Sequence, residues 1–134
     1  MNDKLYVGAS SSITKTLNEE DIFNFAEICG DYNPIHVDKE EAQKSRFGKQ
    51  ICHGMLVTSF ISTVLGMHLP GPGTIYLEQS VKFLKPVYIG DTITATASII
   101  DIQNNIVKLE TNVINQNKEK VVAGKALVMV DIEK

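Results

Sequence analysis

The period of the apolar residues changes along the chain, and each change predicts an element. Leu5 to Leu17 reads as an extended start, with Ser10-Ser11-Ser12 as a soft break. Ile22, Phe25, Ala26 and Cys29 then fall at helical spacing, which predicts a helix with one inward face. Asn18 suits its N-cap, Glu19, Glu20 and Asp21 put negative charge in its first turn, and Gly30 can close it. Asp38 can cap a short, solvated helix through Glu40, Glu41 and Ala42 that ends near Phe47-Gly48. Between His53 and Leu69 no charged face remains. Met55, Leu56, Val57, Phe60, Ile61, Val64 and Leu65 predict a helix buried nearly all round. Met55, Ser59, Ser62 and Gly66 share one line of that helix, which either a neighbouring backbone or a ligand could approach closely.

From Thr74 the period becomes two. Ile75, Leu77, Val81 and Phe83 form one alternating run, and Ile93, Ala95, Ala97 and Ile99 a second. Val107, Leu109 and Val113 form a third, and Val122, Gly124, Ala126, Val128 and Val130 a fourth. Gly90-Asp91, Asn104-Asn105 and Gln116-Asn117-Lys118 supply turns. Four long strands with short connections predict an antiparallel meander with one dry face. Such a sheet can curl around the apolar helix and bury both, so the expected class is α+β, an antiparallel sheet wrapped around one central helix. Ala95, Ala97, Gly124 and Ala126 would let it close tightly, and 134 residues suit a single domain spanning 1–134.

Composition narrows the function classes. With 22% charged and 43% apolar residues the chain is ordinary globular material, and a net charge of −3 gives no reason to expect a nucleic-acid partner. No apolar run is long enough to span a bilayer and no basic-then-apolar leader opens the chain, so no membrane association and a cytoplasmic location are expected. Cys29 and Cys52 lack CxxC spacing, which leaves reduced, buried thiols as the expectation.

The chemistry concentrates in Gly30-Asp31-Tyr32-Asn33-Pro34-Ile35-His36, where a carboxylate, an amide and an imidazole fall within six residues. Pro34 lacks an N–H and fixes its own φ, so a bent loop without regular helix is expected, with Asn33 extended. There Asp31 and His36 can point at one spot, as they must where one group takes a proton and another gives one. The same residues are also good turn chemistry, because Asp and Asn side chains bond nearby backbone. On these residues alone both readings stand.

That loop, with Ala42 six positions beyond His36, is similar to the signature of the MaoC-like, or hydratase 2, group of hot-dog-fold proteins. Ile51-Cys52-His53-Gly54-Met55, the run from Tyr76 to Phe83, Pro86-Val87 and Gly90-Asp91 extend the likeness over nearly the whole chain. Within the group it most resembles the short (R)-specific enoyl-CoA hydratases of bacteria. Cys29 and Lys49-Gln50 depart from the usual pattern beside the matching positions. The resemblance implies a hot-dog fold and a hydro-lyase that reversibly adds water to trans-2-enoyl-CoA, giving (R)-3-hydroxyacyl-CoA. It implies an Asp31–His36 dyad holding one water, with Ser62 secondary and near that water. Hydration needs a base for the water, a proton for C2 and a place for the thioester's developing oxyanion. Carboxylate and imidazole can share the first two if burial tunes them, in an order the sequence leaves open. The backbone N–H of Gly54, at a helix N-terminus, can supply the third.

Asn33 is expected to support the dyad or to serve the turn, and the alternative for Ser62 is a hydroxyl bonded back to its own helix. His53 is read as a capping or packing residue and Asp91 as turn chemistry. Met55, Ser59, Leu65 and Met67 are expected along the acyl pocket, and Lys44, Arg46, Lys82 and Lys85 are candidates for the phosphates of coenzyme A. No cofactor is expected beyond the coenzyme A of the substrate, and no metal, because His36, His53 and His68 lack ligand spacing. A lone hot dog leaves a sheet edge bare, which predicts a homodimer. Three rival readings share the fold: a 3-hydroxyacyl-carrier-protein dehydratase, an acyl-CoA thioesterase and a non-catalytic acyl-CoA binder.

Overall fold

In the computed structural model, which describes residues 5–131, a strand β1 (Ser10–Thr16) leads into helix α1 (Glu19–Cys29) and two short helices, α2 (Pro34–Val37) and α3 (Lys39–Lys44). The long helix α4 (Gly54–Met67) follows, then strands β2 (Ile75–Phe83), β3 (Thr92–Gln103), β4 (Ile106–Ile114) and β5 (Lys120–Met129). The ends of the expected 1–134 domain, residues 1–4 and 132–134, lie outside the described residues.

α1 forms where local chemistry asks for it. The Asp21 N–H donates to Asn18 Oδ1 at 2.9 Å and the Asn18 N–H donates back to Asp21 Oδ2 at 3.0 Å, so two otherwise orphaned donors are satisfied. Gly30 ends the helix at φ 83°, a left-handed conformation that costs glycine little. Ile22 and Ala26 are buried, but Cys29, expected inward, is exposed, because the last turn of α1 overhangs a cavity and not the core.

All five strands pair antiparallel in the order β1-β3-β4-β5-β2. Ser10-Ser11-Ser12 is strand and not a break, paired with Ser98, Ala97 and Thr96. Only β3, β4 and β5 form a meander. The expected four-strand meander fails at its first step, since β2 pairs with β5 at the far edge and the chain then crosses to β3. Pro86 cannot extend a ladder, and beside it the Val87 carbonyl accepts from the Cys52 N–H at 2.7 Å. The alternation in β3 holds: Ile93, Ala95, Ala97 and Ile99 are all buried. β2 differs, for Ile75, Leu77 and Phe83 are exposed, and among the described residues no further strand pairs with its outer edge. At Gly124 a Cβ would lie 1.7 Å from the Ser80 carbonyl oxygen, so β2 and β5 nest only around glycine.

α4 packs against β1, β2, β3 and β4, which is the curled sheet around one helix that defines a hot dog. Leu56, Val57, Ile61, Val64 and Leu65 are buried there, each stabilising by about 1.5–3 kcal/mol. The helix is not buried all round: Met55, Ser59, Ser62 and Met67 form an exposed side. Among the described residues no helix is long and apolar enough to cross a membrane.

Candidate active site

The loop after α1 is tighter than its sequence suggests. Pro34 does not exclude helix; it sits in the first turn of α2, where a missing N–H leaves nothing unsatisfied. Asn33, held at φ −52° and ψ 127°, caps that turn by accepting from the Ile35 N–H at 3.3 Å, while its own N–H donates to Asp31 Oδ1 at 3.1 Å. Asn33 therefore does turn work and steadies one Asp31 oxygen through its backbone.

An extended strap, residues 50–53, lies under this loop and fixes it. His36 Nδ1 is 2.8 Å from the Ile51 carbonyl, which can only accept, so Nδ1 carries the proton and neutral His36 has its lone pair on Nε2. Gln50 Nε2 donates to the His36 carbonyl at 2.8 Å, giving one of the residues that depart from the family pattern a definite task. The Ile51 N–H donates to the Ile35 carbonyl at 3.1 Å. Burial pulls the His36 pKa below its ordinary 6.5, with the Ile51 carbonyl opposing, His53 adding to the fall and Asp31 resisting it. Burial of both dyad members does not hold, since His36 is buried and Asp31 is exposed.

His53 is the residue whose importance the sequence conceals. It stands at the N-cap of α4 without a side-chain cap bond and packs as expected: its ring stacks on His36 with centroids 4.0 Å apart and planes at 25°, and Phe25 packs on it at 4.9 Å. His53 Nε2–H donates to the Asp31 carbonyl at 2.9 Å. Nδ1 is buried without a partner, a state that costs on the order of 1–3 kcal/mol. Only its place between a polar loop and an apolar helix hints at this role.

Asp31, His36 and His53 offer donor atoms within 4.8 Å of one another. For Asp31 and His36 that span suits one water bonded to each at about 2.8 Å. As a metal cage it is poor. Two nearly parallel imidazole planes 4.0 Å apart do not converge within the ~2.0–2.1 Å of a zinc–nitrogen bond.

Facing the dyad is a cavity of about 770 Å³, lined by Asp31, His36, His53, Gly54, Met55 and Phe83 among others, which is within the usual range for small-molecule sites. The α4 N-terminus has no side-chain cap, so its first amides are free to receive a negatively charged oxygen. A Cβ on Gly54 would lie 2.6 Å from the Phe83 ring, so with the ring in this place only glycine fits at the start of α4. Arg46 and Lys85 stand on the cavity wall, with Lys85 also paired to Glu119 at 3.0 Å. Lys44 pairs with Glu41 at 3.4 Å, and neither it nor Lys82 lines the cavity.

Of the expected acyl-pocket residues only Met55 lines the cavity. Leu65 is 1% exposed and belongs to the helix–sheet core. Ser59 is exposed and its hydroxyl donates to the Leu56 carbonyl at 2.6 Å. Ser62 and Met67 are exposed and do not line the cavity. The wall is built by Phe25, Phe47, Val57, Phe83, Leu84 and Val122 instead, side chains whose convergence depends on the tertiary fold. Asp91 is turn chemistry: it accepts from the Tyr88 N–H at 2.9 Å.

An (R)-specific enoyl-CoA hydratase of Rhodospirillum rubrum is 46% identical over 92% of this chain and 86% of its own length. One from Aeromonas caviae is 36% identical over 92% of this chain and 94% of its own. The solved structure of an (R)-hydratase from A. caviae, described as involved in PHA biosynthesis, superposes with a TM-score of 0.94 at 35% identity, covering 97% of this chain and all of that one. The MaoC like domain family matches residues 7–123, a span that includes the Asp31–His36 loop, the strap and the uncapped start of α4. This chain belongs to that family.

Proposed function

We propose that the protein is an (R)-specific enoyl-CoA hydratase, adding water to trans-2-enoyl-CoA to give (R)-3-hydroxyacyl-CoA and running in reverse as a dehydratase. The observation that carries this is one cavity lined by Asp31, by His36 and by Gly54 at the α4 N-terminus, which has no side-chain cap. A water between the Asp31 carboxyl and His36 Nε2 faces C3 of the enoyl group. Its oxygen bonds to C3, the C2–C3 π electrons shift toward the thioester, and the developing oxyanion meets the Gly54 N–H. The water's second proton goes to the dyad, and a dyad proton is delivered to C2, so one water is added overall. The bare Nε2 of neutral His36 favours the imidazole as the acceptor. Arg46 and Lys85 suit the phosphates of coenzyme A at the cavity wall. The chemistry draws on no cofactor beyond that substrate group and takes place in the cytoplasm.

The exposed edge of β2, with Ile75, Leu77 and Phe83, and the bare side of α4 support a homodimer. Loss of enoyl absorbance on crotonyl-CoA tests the activity. Asp31→Asn and His36→Ala should each fall at least ~100-fold below wild type. Near-full rate in either sinks the dyad. Release of free coenzyme A, with no 3-hydroxyacyl product by mass spectrometry, would instead make the protein a thioesterase. A strong preference for carrier-protein thioesters would move it to fatty-acid synthesis.

A further inference from the structure

The dyad is held at both backbone carbonyls by strap side chains: His36 O by Gln50, and Asp31 O by His53. Of the two, His53 makes a second contact, the 4.0 Å stack on the His36 ring. It is 2% exposed, wedged between His36 and Phe25, and its Nδ1 lacks a partner. An apolar residue would fill this slot without leaving a polar atom unpaired. A histidine here makes sense if the ring and the Nε2–H are both needed.

We propose that His53 is a positioning residue for the hydration reaction, its Nε2–H tethering Asp31 and its ring face setting the plane of the His36 imidazole. Through one side chain the Asp31 main chain, from which the carboxyl hangs, and the His36 imidazole are fixed relative to each other, although the two residues are five apart in sequence. His53 touches neither water nor substrate in this role. It narrows the range of dyad geometries, and small displacements of reacting groups cost rate steeply. His53 also works electrostatically on His36, lowering its pKa, as burial does more strongly. The other titratable groups lining the same cavity are Cys29 at the end of α1, Asp31 from the loop before α2, Arg46 after α3, Cys52 from the strap and Lys85 after β2.

Two substitutions separate the two contacts. His53→Phe keeps a flat ring and removes the donor; His53→Gln keeps an Nε2–H and removes the ring. With crotonyl-CoA, His53→Phe should lose ~10-fold or more in kcat with KM changed less than ~3-fold, and His53→Gln should recover part of that loss. The His36 titration, followed by its imidazole NMR signals, should move to higher pH in His53→Phe, and the acid limb of the rate profile should move with it. Wild-type kcat in a folded His53→Phe protein overturns the proposal, as do equal losses in both variants with an unmoved His36 titration. Should His53→Phe fail to fold, a His53→Gln protein with wild-type kcat and His36 titration overturns it alone. The proposal rests on the hydratase reading. An inactive wild type would sink that reading while leaving the His36 titration to judge His53.

Discussion

Gly54 shows how little room is left at the start of α4. Its missing side chain is matched to the Phe83 ring, which would lie 2.6 Å from an added Cβ. Phe83 is 53% exposed and can swing outward, so Gly54→Ala should fold, with a melting temperature within a few degrees of wild type. The new methyl and the displaced ring would crowd the Gly54 N–H, and if that amide receives the thioester oxygen as proposed, kcat should fall at least ~10-fold, as measured on crotonyl-CoA. Unchanged kcat would remove the α4 amide from the mechanism. At this scale the sequence was informative wherever a role depends on near neighbours. Asp31, Asn33 and His36 lie in one loop, and their turn bonds are local. His53 was opaque because its meaning lies in a stack on a residue from another segment. Ser62 and Leu65 do not line the cavity, because helical spacing shows which residues share a face but not which face meets it.

Elements whose ends are set by neighbouring residues could be read directly. Asn18 and Asp21 start α1 and Gly30 ends it, as their side chains and φ require. β3 follows its alternation because one side of it lies against α4. β2 could not be assigned this way, since its place beside β5 is a long-range choice that alternation does not encode. That pairing has a sharp requirement at Gly124, where an added Cβ would stand 1.7 Å from backbone oxygen and not from a movable side chain. Gly124→Ala should therefore force β2 and β5 apart and cost more than ~3 kcal/mol, read from urea unfolding. A loss under 1 kcal/mol would mean the two strands are less closely nested than described.

Across the whole molecule, the sheet has two edges, β1 and β2, and apolar side chains gather at β2. Leu77 is 45% exposed in the middle of that strand, and a second copy is the occupant the homodimer reading requires. Leu77→Lys places a charge on the edge, a common device against strand pairing. At micromolar concentration it should sediment as a monomer where wild type sediments as a dimer, with far-ultraviolet circular dichroism unchanged. A wild-type monomer would remove the dimer. The curl of sheet about helix was foreseeable because an apolar helix and a one-sided sheet each need the other. The crossing from β2 to β3 was not, because it follows from which edge β2 joins.

The two thiols have unequal fates. Cys52 is enclosed, and burial, assisted by Asp91 and Asp21, pushes its pKa up to about 12, which keeps it inert to alkylating dyes at neutral pH. Cys29 is open to solvent on the rim beside Asp31. Nature has thus left a single labelling handle at the entrance, where a fluorophore attached to the unmutated chain would brighten or dim as an acyl chain arrives.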